Sequence, residues 1–456
     1  MFYQGNSLIE KLLDALKING EALRVATAIL ISLGVILILG FLMTRLTKLL
    51  KLPNVTAYIL VGILIGPSVI NLIPGDFIKH TDFISDIALA FIAFSAGEFF
   101  KMNVIKKSMG KVLVITAFET VITFSLVFVL CAFAFGLGIS FSLLIAALSS
   151  ATAPTSTIMT IKQTKAQGHY VNTLLEVIAL DSVISLFLYT VSISIFVATQ
   201  TTGGSLDFMD IGWPVLKVII CLAIGTAFGF ILKLLISSKR TTDNRLIIIV
   251  ATLLLFCGIC SLFGTSPLLG AIAIGMIYTN LSKPEEQKLF AQVNYFIPPV
   301  MLIFFVRGGM NLDFSVFSQS NSLTTVPFIV IVIVLVIARL SGKYGGSYVG
   351  ALATSQPKET RNFLGLGLLP QASIAIALAT MAARTLRANG FEDHATIMLA
   401  LILASSIIVE IAGPACAKLG LYLSHSFGPE HINEPVVVEK ADETAYTEAA
   451  EQYHEQ

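Results

Sequence analysis

The sequence has few charged residues for its length, and this shortage limits the kind of protein it encodes. Asp, Glu, Lys and Arg make up 12% of its 456 residues, whereas a soluble domain carries roughly 25%. Hydrophobic residues make up 55%, and the mean hydropathy is +0.86. These values exclude a soluble enzyme and indicate one polytopic membrane domain.

An excess of charge of either sign is also missing. The 29 basic and 28 acidic residues give a formal net charge of +1, which excludes a basic footprint for nucleic acid. The chain has five cysteines, and the C-x-x-C at Cys257 and Cys260 lies in an apolar run without a histidine cluster, which indicates small core residues. We find no nucleophile–base arrangement, metal-ligand spacing or phosphate-binding loop, so we expect neither an enzyme nor a cofactor.

Long apolar runs dominate what is present. A membrane-spanning helix needs about 20 mostly apolar residues. The sequence predicts an all-α membrane protein with thirteen spans, at 22–47, 53–73, 83–100, 111–137, 139–163, 170–199, 212–237, 244–263, 266–281, 290–309, 323–352, 362–385 and 393–423. These spans form one transmembrane domain, residues 21–427. Residues 1–20 are predicted to hold an amphipathic helix at the membrane interface, and the acidic residues 428–456 are predicted to form a disordered tail.

Basic residues concentrate in one of the two alternating sets of loops. That set holds Arg45, Lys48, Lys51, Lys101, Lys106, Lys107, Lys111, Lys162, Lys165, Lys233, Lys239, Arg240, Arg245, Lys283, Lys288, Lys358 and Arg361, whereas the other set holds little beyond Lys79, Arg384 and Arg387. Cytoplasmic loops are enriched in Lys and Arg. We therefore expect a multi-pass protein of the cell membrane with its N-terminus outside and its acidic tail in the cytoplasm.

Two predicted spans are interrupted by proline. The fifth contains Pro154 in ALSSATAPTSTIMT, and the twelfth contains Pro370 and Gln371 in GLGLLPQASIAIA. Proline breaks a helix, and unwound backbone at membrane depth is tolerated where it is buried or lines a cavity. If span seven is a linker, spans 1–6 and 8–13 form two six-helix halves of opposite topology, each interrupted at its fifth helix. Such a pair indicates a transporter's substrate site; two unrelated proline kinks are the alternative.

Asp181 is the strongest functional candidate among the charges inside the membrane. It lies in span six, LLEVIALDSVISLFLY, and an ionisable residue at membrane depth is costly enough to be a functional candidate. A carboxylate there can exchange a proton for a metal cation. The hydroxyl groups of Thr155, Ser156 and Ser182 are candidates to complete an oxygen shell for Na⁺ or K⁺. A structural aspartate paired with a basic residue is the alternative.

Lys343 and Arg339 in span eleven are candidates to compensate this charge. A buried ammonium group can pair with a carboxylate or stand in for a cation when the site is empty. Arg339 lies one turn before Lys343 and competes for the same role, with snorkelling to a lipid headgroup as its alternative. Glu176, five residues before Asp181, is predicted either to line an entry funnel or to cap the start of its helix.

Four other charged residues are expected to be structural more often than functional. Arg307 ends span ten in FFVRGGMNLD, where snorkelling is easy, and Glu98 and Glu410 lie on faces that the sequence does not fix. Glu119 lies deeper, in a helix that we assign to the scaffold. Arg307 remains a secondary site candidate because it is able to hold an anion.

Seven segments resemble, in order, the stretches of bacterial monovalent cation:proton antiporters. They are LPNVTAYILVGILIGP, ATAPTSTIM, ALDS, SPLLGAIAIGM, FFVRGGMNLD, GKYGGSYVGA and GLLPQASIAIAL, and the resemblance covers about residues 20–420. It implies a dimerisation domain, a moving core in which the broken helices cross, alternating access of the elevator type and a homodimer. The family's ion-binding acidic residue would match Asp181, and its membrane-embedded basic residue would match Lys343. Trp213 and the aliphatic faces of spans one and seven are compatible with a dimer interface.

The chain departs from this family at Asp181–Ser182. Many electrogenic members carry two adjacent aspartates there, and electroneutral members carry Asn–Asp. Either Ser182 replaces the ion-binding aspartate, which the A-L-D run favours, or Leu180 replaces the asparagine, which Glu176 favours. One carboxylate remains in both alignments. If Lys343 stays charged, this suggests 1:1 electroneutral exchange, whereas a proton released by Lys343 makes the cycle electrogenic.

The sequence therefore predicts an antiporter that exchanges H⁺ for a monovalent cation, Na⁺ first and K⁺ second. Asp181 binds the proton and the cation in competition, Thr155, Ser156 and backbone carbonyls near Pro154 help to coordinate, and Lys343 offsets charge. One alternative is sodium-coupled symport of an organic anion held by Arg307 or Arg339. The other is a non-transporting sensor or a channel.

Overall fold

The structure is a computed structural model. It describes residues 7–15, 21–49, 54–99, 102–201, 208–236, 240–263, 265–282, 288–312, 326–371 and 373–426. Within these ranges the chain is helical and no strand occurs, as predicted from the apolar runs. The predicted disordered tail at 428–456 lies outside the described residues.

The helices follow one another along the chain. Their bounds are α1 Leu8–Ala15, α2 Glu21–Leu49, α3 Asn54–Ile65, α4 Gly75–His80, α5 Asp82–Ala96, α6 Met102–Val129, α7 Ile139–Ser150, α8 Pro154–Thr164, α9 His169–Thr201, α10 Phe208–Leu235, α11 Thr242–Leu262, α12 Leu268–Leu281, α13 Lys288–Met310, α14 Phe328–Ala353, α15 Lys358–Gly367, α16 Ser373–Ala388 and α17 Glu392–Leu423. Each predicted span falls on one of these helices or, for the two interrupted spans, on two consecutive half-helices.

Seven of the described helices are long and apolar enough to cross a membrane: α2, α6, α9, α10, α11, α14 and α17. Five shorter apolar helices, α3, α5, α7, α12 and α13, lie between them. The span predicted at 53–73 is shorter as a helix than expected. α3 ends at Ile65 because Gly66 and Pro67 begin a turn, in which the Asn71 N–H donates to the Gly66 carbonyl.

The predicted amphipathic stretch near the N-terminus forms α1. Ser7 and Glu10 close its first turn reciprocally: the Ser7 N–H donates to the Glu10 carboxylate at 2.6 Å, and the Glu10 N–H donates to the Ser7 hydroxyl at 3.2 Å. Leu8 is exposed, whereas Ile9 and Leu13 are buried. One face of α1 is therefore apolar and packed, and its position at a membrane interface stays a prediction.

The long helices pack into two bundles. The broken-helix bundle consists of α6, α7, α8, α9, α14, α15, α16 and α17, and α6 packs most extensively against α14. The flanking bundle consists of α2, α3, α5, α10, α11, α12 and α13, with α3 against α13 and both α5 and α10 against α12. Contacts between the bundles run chiefly through α9 and α10, α3 and α17, and α13 and α16.

Glycines let α14 approach α6 closely. Gly342, Gly346 and Gly350 are four residues apart and share one face of α14, and a Cβ atom added to each would lie 2.7, 2.6 and 2.7 Å from backbone atoms of α6. Small residues at this spacing allow two membrane helices to pack with their backbones in contact. This contact brings the charged residues of α6 and α14 together.

Several helix–helix contacts have counterparts between the corresponding spans, as an inverted repeat predicts. If each span of the first half corresponds to the span seven positions later, the α3–α13 contact corresponds to α12–α5, α2–α13 to α11–α5, and α6–α7 to α14–α15. Both members of each pair occur. The repeat itself remains a prediction that this packing supports.

Candidate ion-binding site

The two interrupted spans meet at their breaks. α7 ends at Ser150, and Ala151 is extended (φ −64°, ψ 135°). α8 then begins at Pro154, where the missing N–H of proline leaves no helix hydrogen bond unmade. The Ala153 N–H donates to the Pro370 carbonyl at 3.0 Å, which joins the first break to the second. The predicted breaks at Pro154 and Pro370 therefore form one buried crossing of unwound backbone.

Arg339 holds this crossing together. Its guanidinium group donates three hydrogen bonds to backbone carbonyls of the two breaks: Nε to Ser149 at 2.9 Å, Nη1 to Leu369 at 2.6 Å and Nη2 to Ala151 at 3.1 Å. Carbonyls at the C-terminal ends of half-helices carry partial negative charge and lack helical partners. Arg339 is fully buried, so it lies at the crossing and not at a lipid headgroup.

Asp181 on α9 lies beside the same crossing and is fully buried. Its Oδ2 accepts the Thr152 backbone N–H at 3.1 Å and the Lys343 ammonium at 3.1 Å. Its Oδ1 accepts the hydroxyl groups of Thr120 at 3.2 Å and Ser185 at 3.5 Å. The structure therefore brings together the two residues that the sequence singled out, Asp181 and Lys343, with four donors around one carboxylate.

A second carboxylate shares Lys343. The Lys343 Nζ lies 2.5 Å from Glu119 Oε1 and 3.1 Å from Asp181 Oδ2, and all three side chains are fully buried. The Thr120 hydroxyl lies between the two acids, 3.3 Å from Glu119 Oε2. The sequence predicts that Glu119 is structural and that its helix belongs to the scaffold, but α6 packs in the broken-helix bundle. The small residues around Lys343 are the sequence signal for close helix packing there, although they do not identify α6 as the partner.

Charge at the crossing does not balance. Asp181, Glu119 and Glu410 are fully buried carboxyl groups, and Lys343 and Arg339 are fully buried basic groups. The Arg339 guanidinium interacts electrostatically with all three acids. With every group ionised the cluster carries one net negative charge, which is costly at membrane depth. One proton or one monovalent cation removes that charge, and this is the chemistry that the arrangement provides.

Three hydroxyl groups are predicted to surround Asp181, and the two whose side chains are described donate to other acceptors. Ser182 donates to the Ile178 carbonyl of its own helix at 2.9 Å, and Ser156 donates to Glu410 Oε1 at 2.5 Å. The side chain of Thr155 lies outside the described part of the structure. Thr120 and Ser185 take their place beside Asp181, and an i+4 spacing along α9 was the signal available for Ser185.

The remaining candidates are spread over several parts of the fold. Gln371 is fully buried in the second break, and its Nε2 donates to the Leu148 carbonyl at 3.4 Å. Glu176 is buried on α9, with 8% of its surface exposed. Arg307 is buried in the flanking bundle. It donates to the Ser85 hydroxyl and to the Ile78 carbonyl, both at 2.8 Å.

Comparisons with known proteins agree with this architecture. The family model "Sodium/hydrogen exchanger, transmembrane" matches residues 30–417. The chain is 23% identical over 366 residues to an ammonium/H⁺ antiporter subunit, AmhT, of Alkalihalophilus pseudofirmus, covering 79% of this chain and 88% of that protein. It is 22% identical over 388 residues to a Na⁺/H⁺ antiporter of Enterococcus hirae, covering 83% of this chain and 94% of that protein.

A solved structure has the same fold. The sodium proton antiporter MjNhaP1 of Methanocaldococcus jannaschii at pH 8 superposes with a TM-score of 0.68 at 16% identity, covering 88% of this chain and 99% of that chain. The all-helical membrane fold predicted from the sequence is thereby confirmed. The family model spans most of the chain, so the chain belongs to the sodium/hydrogen exchanger family of multi-pass membrane proteins.

Proposed function

We propose that this protein is a secondary active antiporter that exchanges H⁺ for a monovalent cation across the membrane. The observation that carries the proposal is the buried cluster of three carboxyl groups and two basic groups, which is one positive charge short of neutrality. A proton or a cation supplies that charge, and binding both at once would leave an excess. Competition between a proton and a cation to supply this one missing positive charge is the proposed physical basis of exchange.

Asp181 is the proposed point of competition. Its carboxylate has hydroxyl oxygens of Thr120 and Ser185 within 3.5 Å, and these oxygens are available to a cation that displaces the Lys343 ammonium. Lys343 keeps a partner when it is displaced, because Glu119 lies closer to it than Asp181 does. Oxygen ligands suit Na⁺ and other hard cations. The proposed shell does not include Ser156, whose hydroxyl is directed to Glu410.

Na⁺ is the first choice of cation and K⁺ the second. The family description and the name of the Enterococcus hirae relative support Na⁺. The name of the Alkalihalophilus relative adds NH₄⁺, an ion of similar charge and size to K⁺, to the ions that require testing.

Alternating access by an elevator movement fits the division into two bundles. The broken-helix bundle carries the whole charge cluster, so a rigid displacement of that bundle against the flanking bundle would carry the ion with it. The flanking bundle is the proposed dimerisation domain of a homodimer. Trp213 and Ile219 on α10, and Leu30 and Ile38 on α2, are exposed and available for such an interface.

The test is proton flux in proteoliposomes that hold a preset pH gradient, with Na⁺, Li⁺, K⁺ and NH₄⁺ added in turn. We expect one or more cations to collapse the gradient and Asp181→Asn to abolish the response at every pH. Ser182→Ala is the matched control on the neighbouring residue, and it should keep exchange because its hydroxyl is bound to its own helix. A wild-type protein that responds to none of the cations would refute antiport and favour the symporter or the sensor.

A further inference from the structure

Glu410 is a buried carboxyl group with few partners. It lies on α17 with no exposed surface, and its Oε1 accepts the Ser156 hydroxyl at 2.5 Å. Within the part of the chain that the structure describes, its Oε2 has no hydrogen-bond partner. Ser406, one helical turn earlier on α17, is also fully buried, and its hydroxyl has no partner among the described residues. Two unpaired oxygens therefore lie on one buried helix face.

Basic groups near Glu410 do not pair with it. Arg339 interacts with it electrostatically, but the three guanidinium nitrogens donate to carbonyls of the crossing. Among the described residues no basic side chain forms an ion pair with Glu410. The other titratable groups on α17 and on the helices packed against it are Tyr58, Lys162, Arg339, Lys343, Tyr344, Tyr348, Lys358, Glu359, Arg361, Arg384, Arg387, Glu392, Asp393, His394, Cys416, Lys418 and Tyr422; the side chain of Lys162 lies outside the described part.

The three acids of the cluster are therefore held very differently. Asp181 accepts from four donors, one of them the Lys343 ammonium, and Glu119 lies 2.5 Å from the same ammonium. Glu410 accepts from one neutral hydroxyl. A buried carboxylate is stabilised by opposite charge and by donated hydrogen bonds, and without them its neutral form is favoured. Of the three, Glu410 is the acid best suited to carry the proton that makes the cluster neutral.

We infer that Glu410 is a second proton site of the exchanger, and this inference rests on the proposed function. When no cation is bound, the Glu410 carboxyl is protonated and the cluster has no net charge. When a cation binds at Asp181, the O–H bond of Glu410 breaks and its proton leaves to the water on the side to which the site is open. The cluster is again neutral, so one H⁺ is exchanged for one cation. Asp181 remains the site where a proton and the cation compete directly, and Glu410 adds a proton that competes with the cation through charge, from a different oxygen of the cluster.

The first experiment compares the pH dependence of the cation KM in proteoliposomes for the wild type and Glu410→Gln. Glutamine keeps an acceptor for Ser156 and has nearly the same shape, so a purely structural role would leave the pH range unchanged. If cation binding releases a proton from Glu410, the wild-type KM falls by up to about tenfold for each unit of rising pH in that range. In Glu410→Gln we expect the cation KM to be independent of pH in that range. At high pH it should be at least about tenfold above the wild-type KM. Any remaining pH dependence of the KM should lie at lower pH.

A second variant keeps the Glu410 carboxyl group and removes its hydrogen-bond donor. Ser156→Ala removes the hydrogen bond that favours the ionised form of Glu410. We expect the pH-dependent range to move upwards by about half a unit or more, whereas protonation of Asp181 alone would leave it unmoved. Ser405→Ala is the matched control, since that buried hydroxyl is on the same helix and donates to the Ile402 carbonyl. It should keep the wild-type pH profile.

Proton release gives a readout that does not depend on transport. Adding NaCl to the detergent-solubilised protein in weak buffer with a pH dye should release close to one proton for each Na⁺ bound, and clearly less from Glu410→Gln at the same pH. A wild-type pH range in both Glu410→Gln and Ser156→Ala would overturn the inference and leave the proposed function intact. Loss of exchange at every pH in folded Glu410→Gln would also overturn it. Exchange that survives in Asp181→Asn would instead refute the proposed function.

Discussion

Replacing Gly346 with alanine tests how helix packing positions the charge cluster. An added Cβ atom would lie 2.6 Å from the Cα of Glu119 and 2.9 Å from the Phe118 carbonyl oxygen, and both are backbone atoms that cannot rotate away. Ordinary van der Waals contact begins at 3.4 Å, so α6 and α14 must separate by about 0.8 Å, the difference between these two distances. Gly346 follows Lys343 by one turn, so the separation acts directly on the Lys343–Glu119 pair.

Gly345→Ala is the control against which the destabilisation by Gly346→Ala is measured. A Cβ atom added to Gly345 meets nothing within 4 Å, so Gly345→Ala gains helix propensity, about 1 kcal/mol, without a clash. Gly346→Ala has the same gain in propensity but overpacks a tight interface, which costs about 1–3 kcal/mol. The free energies of unfolding of the two variants should therefore differ by about 1–3 kcal/mol, with Gly346→Ala the less stable.

Two assays check this reasoning. Thermal unfolding of the purified variants in detergent should give a lower Tm for Gly346→Ala than for Gly345→Ala. In proteoliposomes only Gly346→Ala should have a raised cation KM, because its lysine is withdrawn from Glu119 and remains closer to Asp181. Equal Tm and equal KM in the two variants would refute the view that this glycine contact positions Lys343.

Three further predictions follow from ion pairs and from the crossing. Glu119→Gln removes the second partner of Lys343, so the cation KM measured in proteoliposomes should rise by about tenfold or more while Asp181 stays functional. Arg339→Lys cannot reach three carbonyls at once, so Tm should fall with a destabilisation of about 2–4 kcal/mol, and an unchanged Tm would contradict its role at the crossing. The partly exposed Asp86–Arg384 pair (2.6 Å) joins α5 to α16 across the two bundles. Asp86→Ala should change the transport rate by at most about fivefold, and exchanging the two charges should restore it.

Much of the fold follows from the sequence because the bilayer restricts the possible structures. Backbone groups in lipid must be satisfied within a helix, so every long apolar run becomes helical, and proline in such a run becomes a break. The interruptions at Pro154 and Pro370 were visible in the sequence for this reason. Their meeting at the Ala153–Pro370 hydrogen bond was expected only from the family resemblance, because a sequence does not give the angle between helices.

The partners in the site were harder to predict than its principal residues. Asp181 and Lys343 stand out as charges in apolar runs, and the structure places them 3.1 Å apart. The direction of a small side chain depends on rotation about its own helix, and a change of one position on the helix turns it by 100°. The sequence therefore identified the hydroxyl groups of Ser156 and Ser182 as candidates. It did not show that Ser156 donates to Glu410 and that Ser182 donates to the backbone of its own helix.

Counting the charges of one helix underestimates the number of carboxyl groups in the site. The pair Asp181–Ser182 has one carboxyl group where the family resemblance implies two for an electrogenic exchanger, and this indicates a single carboxylate. A membrane site is assembled from several helices, so an acid that is missing from α9 can be supplied by a neighbour. Here Glu119 of α6 lies 2.5 Å from Lys343, on the glycine face that allows the two backbones to touch. The site thus holds two carboxylates around one lysine, and the electroneutral exchange that we propose rests on the charge of the whole cluster, Glu410 included, and not on the absence of a second aspartate.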